Sequence, residues 1–145
     1  MNKIEELEFS ININAMSNKV WTVLWSDISY TQWKSAFGEG YFYEGEFEEG
    51  NVIRFLESHG NGIYSKITEM SSAEKVTFLH LGEIYEGLEI PQDWEGVQEK
   101  YLITEKDNQS TLKVQLRIPE EWKIEYEEHF PKALQNIKHL AENQL

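Results

Sequence analysis

The feature that most restricts the fold is a change of hydrophobic period at Pro119. Upstream, Leu112, Val114, Leu116 and Ile118 alternate with Thr111, Lys113, Gln115 and Arg117, and a period of two describes a strand with one buried face. Downstream, Trp122, Tyr126, Phe130, Ala133, Ile137 and Leu140 recur at spacings of four, four, three, four and three, the stripe of an amphipathic helix. Glu120, Glu121, Glu125, Glu127 and Glu128 occupy its first half and Lys132, Lys138 and His139 its second, which suits the helix macrodipole. Pro131 falls inside the stripe. It removes a backbone donor and crowds the preceding turn, so a kink or break is predicted near Glu128 to Pro131.

A helix with one apolar stripe needs an apolar sheet to cover it, and the rest of the chain supplies strands. Leu7, Phe9, Ile11, Ile13 and Ala15 alternate with Glu6, Glu8, Ser10, Asn12 and Asn14. Ser17 or Asn18 is placed to cap a helix carrying Val20, Val23 and Leu24, with Trp21 and Trp25 beside them. Ser29 followed by Gln32 has the form of a capping box and predicts a second short helix carrying Trp33. Five more strands are predicted over Val52 to Glu57, Ile63 to Met70, Lys75 to Leu81, Val97 to Glu105 and Thr111 to Ile118, and a weaker one around Tyr41 to Phe47. All nine glycines lie between Gly38 and Gly96, so the hairpin turns concentrate in the middle of the chain. The expected architecture is a single α+β domain over residues 1–145: a curved antiparallel sheet wrapped around a long C-terminal helix, with two short helices after the first strand.

Charge and composition narrow the function. A formal charge of −13 with only two arginines, Arg54 and Arg117, repels phosphate backbones and lacks the usual bidentate donors, so nucleic acid is not an expected partner. No apolar run is long enough to span a bilayer, and the start, Met1 to Glu6, reads as having no leader. With no cysteine, thiolate chemistry and sulfur-ligated metals are excluded. These features predict a cytoplasmic protein without membrane insertion.

With the elements placed, the sequence resembles the SRPBCC superfamily, the START and birch-pollen-allergen-like helix-grip domains. It looks most like the branch related to the C-terminal domain of the heat-shock protein 90 ATPase activator. The residues carrying the resemblance are Val20-Trp21 with Leu24, Trp33, Glu99-Lys100-Tyr101-Leu102 with Thr111-Leu112-Lys113-Val114, and Phe130-Pro131-Lys132-Ala133-Leu134 with Ile137-Lys138. The resemblance implies a cavity between sheet and helix. It also implies two rival roles, a chaperone-related interaction module of the stress response and a cyclase- or hydrolase-like enzyme.

No recognised catalytic motif is present: there is no Gly-x-Ser-x-Gly elbow, phosphate-binding loop or His-Glu-x-x-His pair. His59, His80, His129 and His139 are not spaced as helical metal ligands, and no catalytic residue, metal or cofactor is assigned. Five Trp, seven Tyr and seven Phe are enough to line a cavity, with a few polar groups to orient a guest. Tyr64, Phe78, Tyr101, Trp122, Tyr126 and Phe130 are the candidate apolar lining. His80 shares a strand face with Val76 and Phe78, and Glu99 shares one with Val97, Tyr101 and Ile103. A carboxylate on such a face must be paired, hydrated or protonated. Arg54 is its candidate partner, in a salt bridge at the sheet edge. The segment Gly82 to Gly96 carries Trp94 and is long for a hairpin connection, which marks it as a lid, a cap on the core or a subunit contact. The expected partners are a small hydrophobic or amphipathic molecule, or a chaperone or other protein contacted through Trp21, Trp25 and Trp94. Either a monomer or a homodimer is compatible with this sequence, and acid–base chemistry at Glu99 or His80 is the enzymatic rival.

Overall fold

The computed structural model describes residues 3–143. The chain runs β1 (Ile4–Ile13), α1 (Ser17–Trp25), α2 (Asp27–Lys34), β2 (Phe42–Glu44), β3 (Val52–Leu56), β4 (Gly62–Ser71), β5 (Lys75–Tyr85), β6 (Leu88–Pro91), β7 (Gln98–Lys106) and β8 (Gln109–Pro119). A single 3₁₀ turn, Glu120–Trp122, leads into α3 (Lys123–Asn143). Eight strands form one antiparallel sheet, seven in the order β1-β8-β7-β5-β4-β3-β2 and the eighth, β6, pairing only with β5. This is the helix-grip α+β fold.

Register explains which residues enter the core. Phe9 faces Val114, Val114 faces Tyr101 and Tyr101 faces Val76, so one side-chain row crosses four strands on the inner face. Helix α3 lies on that face. Its Phe130, Ala133, Leu134, Ile137 and Ala141 are buried, and Phe130 stacks on Phe9 with ring centroids 5.3 Å apart. Trp122 and Tyr126, at the other end of the stripe, are only half-buried. The helix thus meets the sheet tightly along its C-terminal half and opens a gap toward its start.

Several local expectations are corrected. α3 is continuous through Pro131, because packing of Phe130, Ala133 and Leu134 holds the turn despite the lost hydrogen bond; the break in the stripe falls earlier, between Trp122 in the 3₁₀ turn and Lys123. α2 begins at Asp27 with Ser26 at its N-cap, and Ser29 lies within the helix, its hydroxyl bonded to the Ser26 hydroxyl and reaching Thr22 O at 3.2 Å. Neither Ser17 nor Asn18 caps α1. Met16 holds that position, and the Ser17 N–H donates to the Glu105 carboxylate at 2.6 Å.

The segment Gly82 to Gly96 is not a single loop. β5 runs on to Tyr85 and turns at Glu86 and Gly87 into β6, making a projecting hairpin with Tyr85, Leu88 and Ile90 exposed.

Candidate functional site

Between α2, the start of α3 and the inner face of β3, β4, β5 and β7 lies a cavity of about 330 Å³, at the lower end of the size that holds small ligands. Its wall is dominated by rings. Trp25, buried on α1, is the hub: it meets Phe78 at 5.3 Å, Tyr101 at 5.0 Å and Phe47 at 4.9 Å, with Tyr30 and Trp33 slightly farther away. Trp94 packs edge-on to Trp122 at 5.1 Å, and Trp122 stacks along Tyr126 at 6.2 Å. These three form the side of the cavity nearest the segment after β6.

The polar centre comes from two strands. Glu99 on β7 pairs in register with Phe78 on β5, which sets both on the inner face, and His80 follows Phe78 on that face. His80 Nε2 lies 3.0 Å from Glu99 Oε2, and the Tyr101 hydroxyl donates to Glu99 Oε1 at 3.2 Å. On the far side of the ring, Ser65 Oγ sits 2.6 Å from His80 Nδ1. Because a carboxylate only accepts, Nε2 carries the proton of that bond. Burial pushes the Glu99 carboxyl up. The hydrogen bond and charge of His80, with the Lys34 charge and the Tyr101 hydroxyl, outweigh burial and hold the carboxyl below its ordinary 4.5.

This chain of Ser65, His80 and Glu99 has the composition of a nucleophile–base–acid relay but not its access. Ser65 is wholly buried and lies outside the cavity wall. Both His80 nitrogens are occupied, so the relay works as a strut that fixes Glu99 at the cavity edge. Among the described residues, no group of three or more His, Asp or Glu side chains gathers as a metal site.

Of the residues singled out from sequence, Phe78, His80, Trp94, Glu99, Tyr101, Trp122 and Tyr126 line the cavity. Arg54, Tyr64 and Phe130 do not. Arg54 is not the partner of Glu99: it forks onto Glu89 of β6, with its Nη2 2.7 Å from Oε2. Strand alternation is the reason. Ile53 pairs with Ser65 and Ser65 with His80 on the inner face, so Arg54 and its partner Tyr64, one residue along, face the other way; a bulge that leaves Leu81 unmatched brings Glu83 round to the row of Phe55 and Ile63 on the cavity side. On the outer face Tyr64 forms a separate cluster with Leu56 and Ile84. Phe130 is sealed in the core. The expected docking tryptophans are not free surface either: Trp25 is 7% exposed, and Trp21 and Trp94 are half-buried.

Sequence reasoning missed Lys34, the last residue of α2. Its half-buried side chain lines the cavity, with Nζ 4.2 Å from the Phe37 ring centroid, 5.6 Å from Tyr41 and 5.9 Å from Trp33. Burial lowers its pKa from 10.5, against the pull of Glu99 and Glu125. The available signal was a lysine flanked by Trp33 and, three residues on, Phe37. Tyr30, Phe55 and the rim residues Glu57, Glu83 and Glu125 also join the wall. Burial, followed by the Glu99 charge, pushes the Tyr30, Tyr101 and Tyr126 hydroxyls well above 10, which keeps them protonated.

No family model and no curated protein matches the chain. Solved structures do. The chain superimposes on the Aha1 dimer from Colwellia psychrerythraea with a TM-score of 0.74 at 18% identity, over 96% of this chain and 97% of that one. Protein CV1439 from Chromobacterium violaceum gives 0.69 at 14%, over 96% and 98%. CalU16 from Micromonospora echinospora gives 0.63 at 12%, over 97% and 82%. At such identities the likeness carries the fold alone, the helix-grip arrangement of a curved antiparallel sheet around a C-terminal helix.

Proposed function

We propose that the protein binds a small hydrophobic or amphipathic molecule, without transforming it, in the cavity between the sheet and α3. The observation that carries this reading is the ring-lined space of about 330 Å³ with a fixed polar centre at one edge. Aromatic faces stack on flat apolar guests, and a few rigid polar groups orient them. The closed relay favours binding over catalysis, since its serine does not reach the cavity.

Thermal unfolding tests the proposal. A ligand at about a hundred times its Kd adds roughly 2.7 kcal/mol, so compounds that fit should raise Tm by several degrees. Native mass spectrometry of freshly purified protein should retain a co-purifying small molecule. Failure of a broad set of ring-bearing compounds to move Tm, together with a bare mass spectrum, sinks the reading.

A second reading, protein interaction within the branch related to the heat-shock protein 90 ATPase activator, is favoured by the projecting β5–β6 hairpin. Its Leu88 is 68% exposed beside Tyr85 and Ile90, a small apolar patch of the kind that marks contacts, and the superposition on the Aha1 dimer fits self-association. Light scattering at high concentration, repeated with Leu88→Glu, tests it: a monomer at every concentration counts against the homodimer.

A further inference from the structure

The hydrogen-bonding capacity of the cavity wall is unbalanced. Its deepest acceptor, Glu99, already receives one hydrogen bond on each oxygen. One of its donors is not used. Lys34 Nζ has ring faces around it but, among the described residues, no hydrogen bond and no ion pair within reach. Buried donors left without acceptors cost about 1–3 kcal/mol each, and more when charged. A guest that supplies an acceptor recovers part of that.

We propose that the ligand is a ring-bearing carboxylic acid whose carboxylate pairs with Lys34 while its rings stack in the aromatic wall. This rests on the reading of the cavity as a binding site and names the chemistry it selects. A protonated amine is disfavoured, because the inner cation is already present and the inner carboxylate is already bonded.

The rim works in the opposite direction. Glu57, Glu83 and Glu125 stand around the cavity, and an incoming anion is repelled by them. Glu83 and Glu125 are exposed, so their field is screened over about 10 Å at 0.1 M salt, whereas a contact with Lys34 inside the wall is screened far less. Net attraction therefore comes from the short-range pair, and added salt should help rather than hinder the carboxylate. A simple surface ion pair shows the reverse.

The experiment is titration calorimetry with 2-naphthoate and its neutral isostere 2-naphthamide on the full chain, Lys34→Met and Lys34→Arg, each variant checked by thermal unfolding. The expected result is a preference of at least tenfold for the acid in the parent protein. That preference should disappear in Lys34→Met through loss of acid binding alone, and persist in Lys34→Arg. Affinity for the acid should rise between 50 and 500 mM NaCl. Equal binding of acid and amide, or a preference unchanged in Lys34→Met, overturns the carboxylate proposal and leaves the cavity as a binding site. Binding of neither probe to the parent overturns the carboxylate proposal, and the thermal screen and native mass spectrum described above then decide separately whether the cavity binds at all.

Discussion

His80 and Glu99 meet diagonally across two neighbouring strands: the register partner of Glu99 is Phe78, yet His80 Nε2 lies 3.0 Å from its carboxylate. The diagonal leaves the space directly over Phe78 to aromatic rings and puts the charge at the edge of the cavity.

Removing one partner from this pair should cost more than removing both. His80→Phe leaves a buried carboxylate with one hydrogen bond fewer, a loss on the order of 3 kcal/mol, and Glu99→Leu leaves the ring nitrogen without its acceptor. The double variant His80→Phe with Glu99→Leu should recover a large part of it. Urea unfolding of the four proteins in a double-mutant cycle measures the coupling, and additive losses would deny it.

Glu99 also predicts an acid-side signature. Its folded pKa lies below the ordinary 4.5, so near that value the folded state binds fewer protons than the unfolded chain, and stability rises with pH. The contribution is complete above about pH 4.5 and drains away as pH falls through the lower folded value. Unfolding free energies of parent and Glu99→Gln should run parallel above pH 5.5 and converge below pH 4.5. His80, Tyr101 and Lys34 are the groups that set the shift, and no convergence would mean that they do not hold the carboxyl down.

Gly62 shows how tightly the β3–β4 turn approaches the cavity wall. A Cβ there would sit 1.9 Å from Phe55 O and 3.0 Å from Leu56 Cα, and backbone cannot step aside as a flexible side chain does. Gly62→Ala should cost about 2–4 kcal/mol and move the Phe55 ring, whereas Gly87→Ala meets no neighbouring atom within 4 Å and carries only its left-handed backbone, φ 82°. Chemical denaturation of both variants checks the order.

Pro131 interrupts the hydrogen-bond ladder of α3 in its interior. An interior proline costs about 3 kcal/mol in a helix, partly offset because proline also restricts the unfolded chain by about 0.4–1 kcal/mol. Pro131→Ala should therefore be stabilised by roughly 2 kcal/mol, a rise in Tm of several degrees by calorimetry. A lower Tm would mean that the proline ring itself packs productively.

What the sequence could show was periodicity. Leu112 to Ile118 and Phe130 to Ile137 alternate and repeat so regularly that strand, helix and buried face were all legible in advance. Parity was misassigned on β3, where Ile53 and Phe55 take the inner face and leave Arg54 and, opposite it, Tyr64 on the outer one; on β5 it is reset by the unmatched Leu81, which no local residue pattern announces. Lys34 was hidden for a different reason. A lysine ending a short helix reads as solvated, and only the return of Phe37 and Tyr41 beside it half-buries it against the cavity wall. The continuity of α3 through Pro131 likewise depends on tertiary packing, which overrides a strong local preference.

Four of the chain's five tryptophans, Trp25, Trp33, Trp94 and Trp122, stand in the wall of the cavity, and Trp21 leans edge-on to one of them at 6.3 Å. The near-ultraviolet emission of this molecule is therefore almost wholly an emission from one chamber. A guest that enters it should change colour, lifetime and quenching together, so the protein carries its own optical gauge of occupancy and needs no attached dye.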